Sequence, residues 1–306
     1  MDISVNLATF NRAPFLEKCL ESLCQQTLDP ARYEICVVNN ACTDNTAEVV
    51  ESIVRRYPHH RVFMVYEPVA GLSRARNCGL RATTAPLVAN VDDDGTVYPD
   101  WLESYVKRFA ELGEDTVIVG GEIEPIWGGP KPAWLSERMQ CFLSAGTGLG
   151  PEARFLPTSE CTSEGNSCYR RAALARAGNF PEQLGRAGTN LLSGESVVEA
   201  LMRKQGGRVF FDPHIILRHF IHANRLTPTW FRHRFFWQGI SGFAVRQYQI
   251  KHDVPVDAAT YIELPLLASD WDFLNGDTPE GIAENTIRFQ SLGFILALTG
   301  IIQVET

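Results

Sequence analysis

The sequence has no C-x-x-C pair among its eight cysteines, no G-x-G-x-x-G after its first expected strand and no P-loop. The first absence removes the spacing that zinc sites and thioredoxin-like redox centres use. The other two disfavour a nicotinamide dehydrogenase and a P-loop kinase, because no glycine-rich backbone is present there to cradle phosphates. Positive charge is also scarce: 28 Lys and Arg stand against 36 Asp and Glu, a formal net charge of −8. No basic stripe advertises a nucleic-acid partner, so a phosphate-bearing ligand would have to be held locally, by a metal ion or a few arginines. Long apolar runs are missing too. Residues 292–302 come nearest, but they fall short of the ~18 a spanning helix needs and are interrupted by Gly293, Thr299 and Gly300. A packing helix is expected there. The first residues carry neither the charged n-region nor the apolar run of a signal peptide. Several cysteines sit inside apolar runs, as in Ile35-Cys36-Val37-Val38. The expectation is therefore a reducing, cytoplasmic setting, with peripheral contact at the inner face of a membrane as the alternative.

What is present reads as alternating strands and helices. β-branched runs occur at Ile3-Ser4-Val5-Asn6-Leu7, Ile35-Cys36-Val37-Val38, Val62-Phe63-Met64-Val65 and Leu87-Val88-Ala89-Asn90-Val91. Between them, Phe15, Leu16, Cys19, Leu20 and Leu23 share one helical face, as do Val49, Val50, Ile53 and Val54. Strands joined by single helices imply right-handed crossovers and a mainly parallel sheet with helices on both faces. A helix is expected over 193–204, separate strands at 209–211 and 215–217, and helices from Pro228 onward. The stretch Trp127-Gly128-Gly129-Pro130-Lys131-Pro132-Ala133-Trp134 is expected to be an ordered loop. Its tryptophans either wall a sugar site or pack over the sheet.

Ligands of such sheets bind beyond the carboxyl ends of the strands. Polar clusters follow these ends at Thr9-Phe10-Asn11-Arg12, at Asn39-Asn40-Ala41-Cys42-Thr43-Asp44 and at Asp92-Asp93-Asp94-Gly95. They should converge in space. Three consecutive aspartates repel one another unless a cation neutralises them. Hard divalent ions such as Mg²⁺ and Mn²⁺ take oxygen ligands and bridge carboxylates to phosphates. A turn and helix cap before Pro99 is the plainer account of the same residues.

At this point the sequence resembles glycosyltransferase family 2, inverting enzymes with the GT-A fold. Ser4 to Arg12 looks like that family's V-x-I-P-T-Y-N-R opening, and Val37 to Asp44 like its V-V-D-N-G-S-T-D turn. Gly71-Leu72-Ser73-Arg74-Ala75-Arg76-Asn77-Cys78-Gly79 is similar to its G-L-S-x-A-R-N-x-G segment, and Asp92-Asp93-Asp94 to its D-x-D signature. Gly165 to Arg171 and Leu191 to Glu195 also have counterparts, in the family's order, over roughly residues 3 to 245. The fold implied is a Rossmann-like, mixed but mainly parallel sheet flanked by helices. It would form a catalytic domain over 1–225, with a nucleotide-binding half (1–115) and an acceptor-binding half (116–225). A helical extension would follow over 226–306.

The resemblance implies roles position by position. Thr9, Asn11 and Arg12 would line the nucleotide pocket, with Asn39 facing the base. Arg76, or else Arg74, would approach the diphosphate. Asp92 would hold the donor ribose or sugar beside Asp93, and Asp94 would ligate Mn²⁺ or Mg²⁺. His219 would stand near the metal, with His222 as the competing choice. Two departures matter. Asn39 stands where the family usually has Asp, which puts a uracil preference in doubt because an amide can donate. Glu195-Ser196 stands where the family has an acidic pair. That leaves Glu195 as the catalytic base, with Glu199 one turn further on. The implied function is metal-dependent, inverting transfer of a sugar from a nucleotide-diphosphate donor to a hydroxyl acceptor, as in polysaccharide biosynthesis. Two alternatives are a catalytically silent nucleotide-sugar or glycan-binding protein of the same fold, and a nucleotidyltransferase. The second would bring a glycine-rich loop after the first strand, and residues 8–13 contain no glycine.

Overall fold

The computed structural model describes residues 1–187, 195–254 and 279–303, excluding the side chains of 137, 138, 195, 196 and 279–287. The expected apolar runs form β1 (Ile3–Thr9), β2 (Tyr33–Asn40), β3 (Arg61–Glu67) and β4 (Leu87–Asp92). All four are parallel, in the spatial order β3-β2-β1-β4. The intervening helices are α1 (Ala13–Cys24), α2 (Thr46–Arg56) and α3 (Leu72–Ala82). Register sets the site: Thr9 lies beside Asn39, and Ala8 beside Asp92, so three strand ends finish at one level.

Beyond β4 the sheet becomes mixed. β5 (Gly95–Val97) and α4 (Trp101–Glu111) precede the long β6 (Thr116–Trp127). A short α5 (Glu137–Gln140), β7 (Arg154–Phe155), β8 (Asn166–Arg170), α6 (Arg171–Arg176) and α7 (Glu195–Lys204) lead to β9 (Arg208–Ile221). β8 runs antiparallel between β4 and β6, and β9 pairs parallel to β6. The two strands expected near 209–217 are one. The ladder with β6 shifts register between Gly121 and Glu122, where Asp212 gives way to Ile216 as partner. That irregularity accommodates Pro213, which has no N–H to donate to a regular ladder.

Alternation along β1 divides the core. Ile3, Val5 and Leu7 pack with Leu16, Leu20 and Leu23 of α1 and Trp101 and Tyr105 of α4. On the opposite face Val88, Ile118 and Tyr169 pack with Leu174, Phe180 and Val198. Asn166 joins the layers: its Oδ1 accepts from Trp101 Nε1 (2.7 Å) and Tyr105 Oη (3.0 Å), and its Nδ2 donates to the Glu122 and Ile215 carbonyls. Every polar atom of this buried side chain is thereby satisfied, as burial demands.

The chain continues into α8 (Pro228–Lys251) and α9 (Pro279–Leu298). These cross where Gly239 faces Gln290 and Gly293 faces Phe236. A Cβ on Gly239 would stand 1.8 Å from the Gln290 carbonyl oxygen, so only glycine permits this approach. Among the described residues no helix is long and apolar enough to cross a membrane. Among the described residues no disulfide is formed.

Candidate active site

A cavity of about 700 Å³ opens at the carboxyl ends of β1 and β4. Its wall includes Thr9, Asn11, Arg12, all three aspartates and His219. The polar clusters after β1 and β4 therefore converge as their strand-end positions imply. The cluster after β2 contributes Asn40 rather than Asn39.

Arg12 is aimed by a clasp between two loops. Asn11 adopts a left-handed backbone (φ 55°), a conformation Asn tolerates better than most residues. Its Oδ1 accepts from the backbone N–H of Thr43 (2.7 Å) and Asp44 (3.2 Å). Asp44 in turn accepts from the Ala13 N–H at the start of α1 (3.0 Å). Held this way, Arg12 Nη1 lies 3.0 Å from Asp93 Oδ1 and 2.6 Å from Asp94 Oδ2. Thr9 Oγ1 donates to the other Asp93 oxygen at 2.8 Å. Asn39 Oδ1 is used to accept from the Cys42 N–H (2.9 Å).

Asp93 and Asp94 have different electrostatic fates. Burial pushes Asp93 up to about 6, against the pull of Arg12, and the neighbouring Asp94 charge pushes the same way. Burial would raise Asp94 too. His219 and His222 face it, however, and with Arg12 they bring its carboxyl well below the usual range. The Asp92 side chain is 42 % exposed at the cavity lip, and behind it Arg76 Nη2 stands 3.4 Å from Oδ1. Gly165 lies so close that a Cβ there would come within 2.6 Å of Asp92 Oδ2.

His219 Nε2 lies 3.3 Å from Asp94 Oδ1, while Nδ1 meets the Ser144 carbonyl at 3.1 Å. A carbonyl can only accept, so Nδ1 carries a proton, and Nε2 is the nitrogen presented to the carboxylate. A proton, or a bound cation in its place, would stand between Nε2 and Asp94. His222, held edge-on between Phe15 and Phe220, places Nε2 3.6 Å from Asp94 Oδ2. That buried nitrogen has no hydrogen-bond partner. Carboxylate and imidazole together suit Mn²⁺, and Mg²⁺ or Mn²⁺ needs few protein ligands when phosphates complete its shell. The donor set fits such an ion, although among the described residues no three His, Cys, Asp or Glu side chains form a ready-made cage.

Other expected residues lie elsewhere. Arg76 is buried behind Asp92 and ion-paired with Glu164, so it supports the aspartate from outside the cavity wall. Arg74 pairs with Glu182 at 2.8 Å, also off the wall. The side chain of Glu195, the expected base, and residues 191–194 lie outside those described. Glu199 is occupied: buried, it accepts from the Thr162 N–H (3.0 Å) and pairs with Arg203 (2.7 Å). Trp134 packs on Phe231 and Trp127 joins the same cluster, so the packing account of the loop tryptophans holds. The tryptophan of the cavity is Trp230, at the start of α8.

Sequence reading missed Ser144, Arg186, Asn224, Arg225 and Trp230, all of which line the cavity. Arg225 Nη2 approaches Asp94 Oδ2 to 3.7 Å. Burial pulls its guanidinium down to about 10 despite Asp94, helped by the like charges of Arg12 and Arg186. No motif announces these residues. The available signal was basic residues closely following β9.

The family model for glycosyl transferase family 2 matches residues 4–177, more than half of the chain. The chain belongs to glycosyl transferase family 2. It is thus a glycosyltransferase by family, and the nucleotidyltransferase alternative falls away. A relative in Haloferax volcanii, a glucosyl-dolichyl phosphate glucuronosyltransferase, is 26% identical over 251 residues, covering 79% of this chain and 76% of its own. The fold matches solved GT-A structures. A mannosyltransferase from Pyrobaculum calidifontis, solved with GDP-Man and Mn²⁺, aligns with a TM-score of 0.62 at 17% identity, over 97% of this chain and 86% of that one. Staphylococcus aureus TarS aligns with a TM-score of 0.57 at 17% identity, over 85% of this chain and 41% of TarS.

Proposed function

We propose that this family 2 enzyme transfers a sugar, with inversion, from a nucleoside-diphosphate donor to a hydroxyl acceptor and depends on Mn²⁺ or Mg²⁺. The observation that carries the reading is Asp94: a buried carboxylate at a strand end, facing His219, His222, Arg12 and Arg225 in one cavity. Asp94 and His219 would hold the metal ion, which when bound neutralises the departing diphosphate. The mannosyltransferase neighbour, solved with GDP-Man and Mn²⁺, supports this ligand class.

The remaining roles belong to the chain. Asp92, half-exposed and braced by Arg76, accepts hydroxyls of the donor ribose or sugar. Thr9 and Arg12 fix Asp93 and keep the floor of the cavity ordered, while Asn11 holds the loop that borders the nucleotide. Asn39 lies off the cavity wall with Oδ1 committed to Cys42, so only its amide is left to meet a base at the cavity's edge. Glu195 removes the acceptor's proton as its oxygen attacks the anomeric carbon opposite the nucleotide, so configuration inverts in one displacement. Peripheral contact with a membrane surface belongs to this proposal only as a place where a lipid-linked acceptor could be met.

The test is transfer from a panel of UDP-, GDP-, CDP- and dTDP-sugars, with Mn²⁺, Mg²⁺ or EDTA, read as released nucleotide and as glycoside product. Asp94→Asn should lower turnover by roughly 10³-fold or more, the scale of losing an electrostatic stabiliser of developing charge. Undiminished transfer by this variant, or full turnover in EDTA, would sink the metal-dependent reading.

A further inference from the structure

The segment after α6 crosses the start of α3 as a strap, and α3 holds it at several points. Asn77, buried in α3, both donates to the Phe180 carbonyl (2.8 Å) and accepts from the Phe180 N–H (3.1 Å). It also reaches Glu182 at 3.2 Å, and Arg74 pairs with the other oxygen of Glu182 at 2.8 Å. Ser73 Oγ donates to the Leu184 carbonyl (2.6 Å), and the Leu72 N–H donates to the Arg186 carbonyl (2.9 Å). These contacts lead along the strap to one residue, Arg186, whose side chain lines the cavity beside Leu72.

The Arg186 guanidinium has no hydrogen-bond or ion-pair partner among the described residues, yet it lies close enough to Arg225 for their charges to repel. The charged wall consists of Asp92, Asp93 and Asp94 against Arg12, Arg186 and Arg225. Arg12 is committed to Asp93 and Asp94. A divalent ion on Asp94 would leave Arg186 and Arg225 as the positive charge without a counter-charge, beside the positive end of α3. A guanidinium fork matches phosphate oxygens.

We propose that Arg186 is a binding residue for the diphosphate of the donor, and that Ser73 and Asn77 are positioning residues that act through the strap carrying it. The inference rests on the transfer reading above. It also reassigns the Gly71–Gly79 motif: the motif's Arg74 serves the diphosphate indirectly, by pinning Glu182, while the contact itself comes from Arg186.

The wild type is tested first, by thermal unfolding with UDP, GDP, CDP, ADP and dTDP, each with Mn²⁺. The nucleotide that stabilises it is then titrated against Arg186→Ala, Arg186→Lys and Ser73→Ala, as diphosphate and as monophosphate. Arg186→Ala should weaken the diphosphate roughly 10- to 100-fold, the scale of a charge-assisted hydrogen bond. The monophosphate should weaken by less than about threefold, and Arg186→Lys should recover part of the loss because it keeps charge without the fork. Ser73→Ala should shift the diphosphate-to-monophosphate ratio in the same direction by about threefold, a change that looser packing alone would not make. Unchanged diphosphate binding by Arg186→Ala, or equal loss of both nucleotides, overturns the assignment of Arg186. A Ser73→Ala protein that melts lower with an unmoved ratio overturns the positioning role. A wild type that no nucleotide stabilises brings down the transfer reading, and this inference with it.

Discussion

The floor and the rim of the cavity are built on different principles. On the floor, at the ends of β1 and β4, nearly every polar atom is committed: Asp93 to Thr9 and Arg12, Asp94 to Arg12 and His219, Asn11 to the loop after β2. The rim comes from the loop after α5, the strap after α6 and the turn after β9. There the Arg186 guanidinium has no partner among the described residues, and the buried His222 Nε2 has none within hydrogen-bond distance. A committed floor holds charge in fixed positions without reorganisation. Uncommitted groups at a rim are those a ligand can satisfy. The contrast assigns pre-organisation to the floor and recognition to the rim.

The sharpest way to break that contrast is to remove the charge that keeps the floor together. Arg12→Ala leaves Asp93 and Asp94 adjacent and buried without their shared guanidinium. Breaking a buried pair costs about 3–5 kcal/mol. Arg12 is 33 % exposed, and Asp93 can escape by taking a proton, so about 2–3 kcal/mol is expected here. Urea unfolding at neutral pH measures it, and millimolar Mn²⁺ should recover part of the loss by supplying positive charge to the same carboxylates. Unchanged stability would mean that the floor is not held by this charge.

A smaller effect is expected where the rim supports the floor. Glu122 accepts from Thr147 at both N–H (2.8 Å) and Oγ1 (2.6 Å), which pins the loop carrying Ser144, whose carbonyl orients His219. Thr147→Val removes one of these bonds and should cost about 1 kcal/mol. It should also weaken Mn²⁺ binding, read by electron paramagnetic resonance, by roughly three- to tenfold, toward the low end for a residue acting behind a metal ligand. Thr147→Ser should restore both. Weakened folding with unaltered Mn²⁺ affinity would separate the loop from the site.

The floor was also the legible part of the sequence. Buried parallel strands read as continuous β-branched runs, and strand ends in such a sheet must converge, so Thr9, Arg12 and Asp92 to Asp94 were placed together by topology. His219 came only through the family resemblance. Arg186, Arg225 and Ser144 were invisible because each is delivered by a loop whose path is decided by tertiary contacts, such as Asn77 to Phe180. Arg74 and Arg76 show the limit of a motif. Arg76, or else Arg74, was expected at the diphosphate, yet the first braces Asp92 and the second the strap, and helix periodicity alone does not say which neighbour a long side chain meets. The two strands expected at 209–211 and 215–217 are one, because the sheet accommodates Pro213 with a register shift.

Asp212 provides the control, since it resembles Asp94 in chemistry and lies in the scaffold. Its side chain is 4 % exposed, it accepts from the His214 N–H (3.0 Å), and it is paired with Arg108 at 2.6 Å. Burial alone would raise its carboxyl, but the His214 and Arg108 interactions hold it below the usual range. A depressed folded value means that the group stabilises the fold at every pH above its unfolded value, near 3.9. That contribution is lost as pH falls from there through the folded value. Asp212→Asn should therefore cost about 1 kcal/mol at neutral pH, since Arg108 is partly exposed and keeps Glu111 as a second partner. It should also flatten the dependence of stability on pH below about 4. Nucleotide and Mn²⁺ binding should stay as in the wild type. If this variant changed either, a well-satisfied buried carboxylate outside the cavity wall would be coupled to the ligand, and partner count would no longer separate groups that hold the fold from groups that hold the substrate.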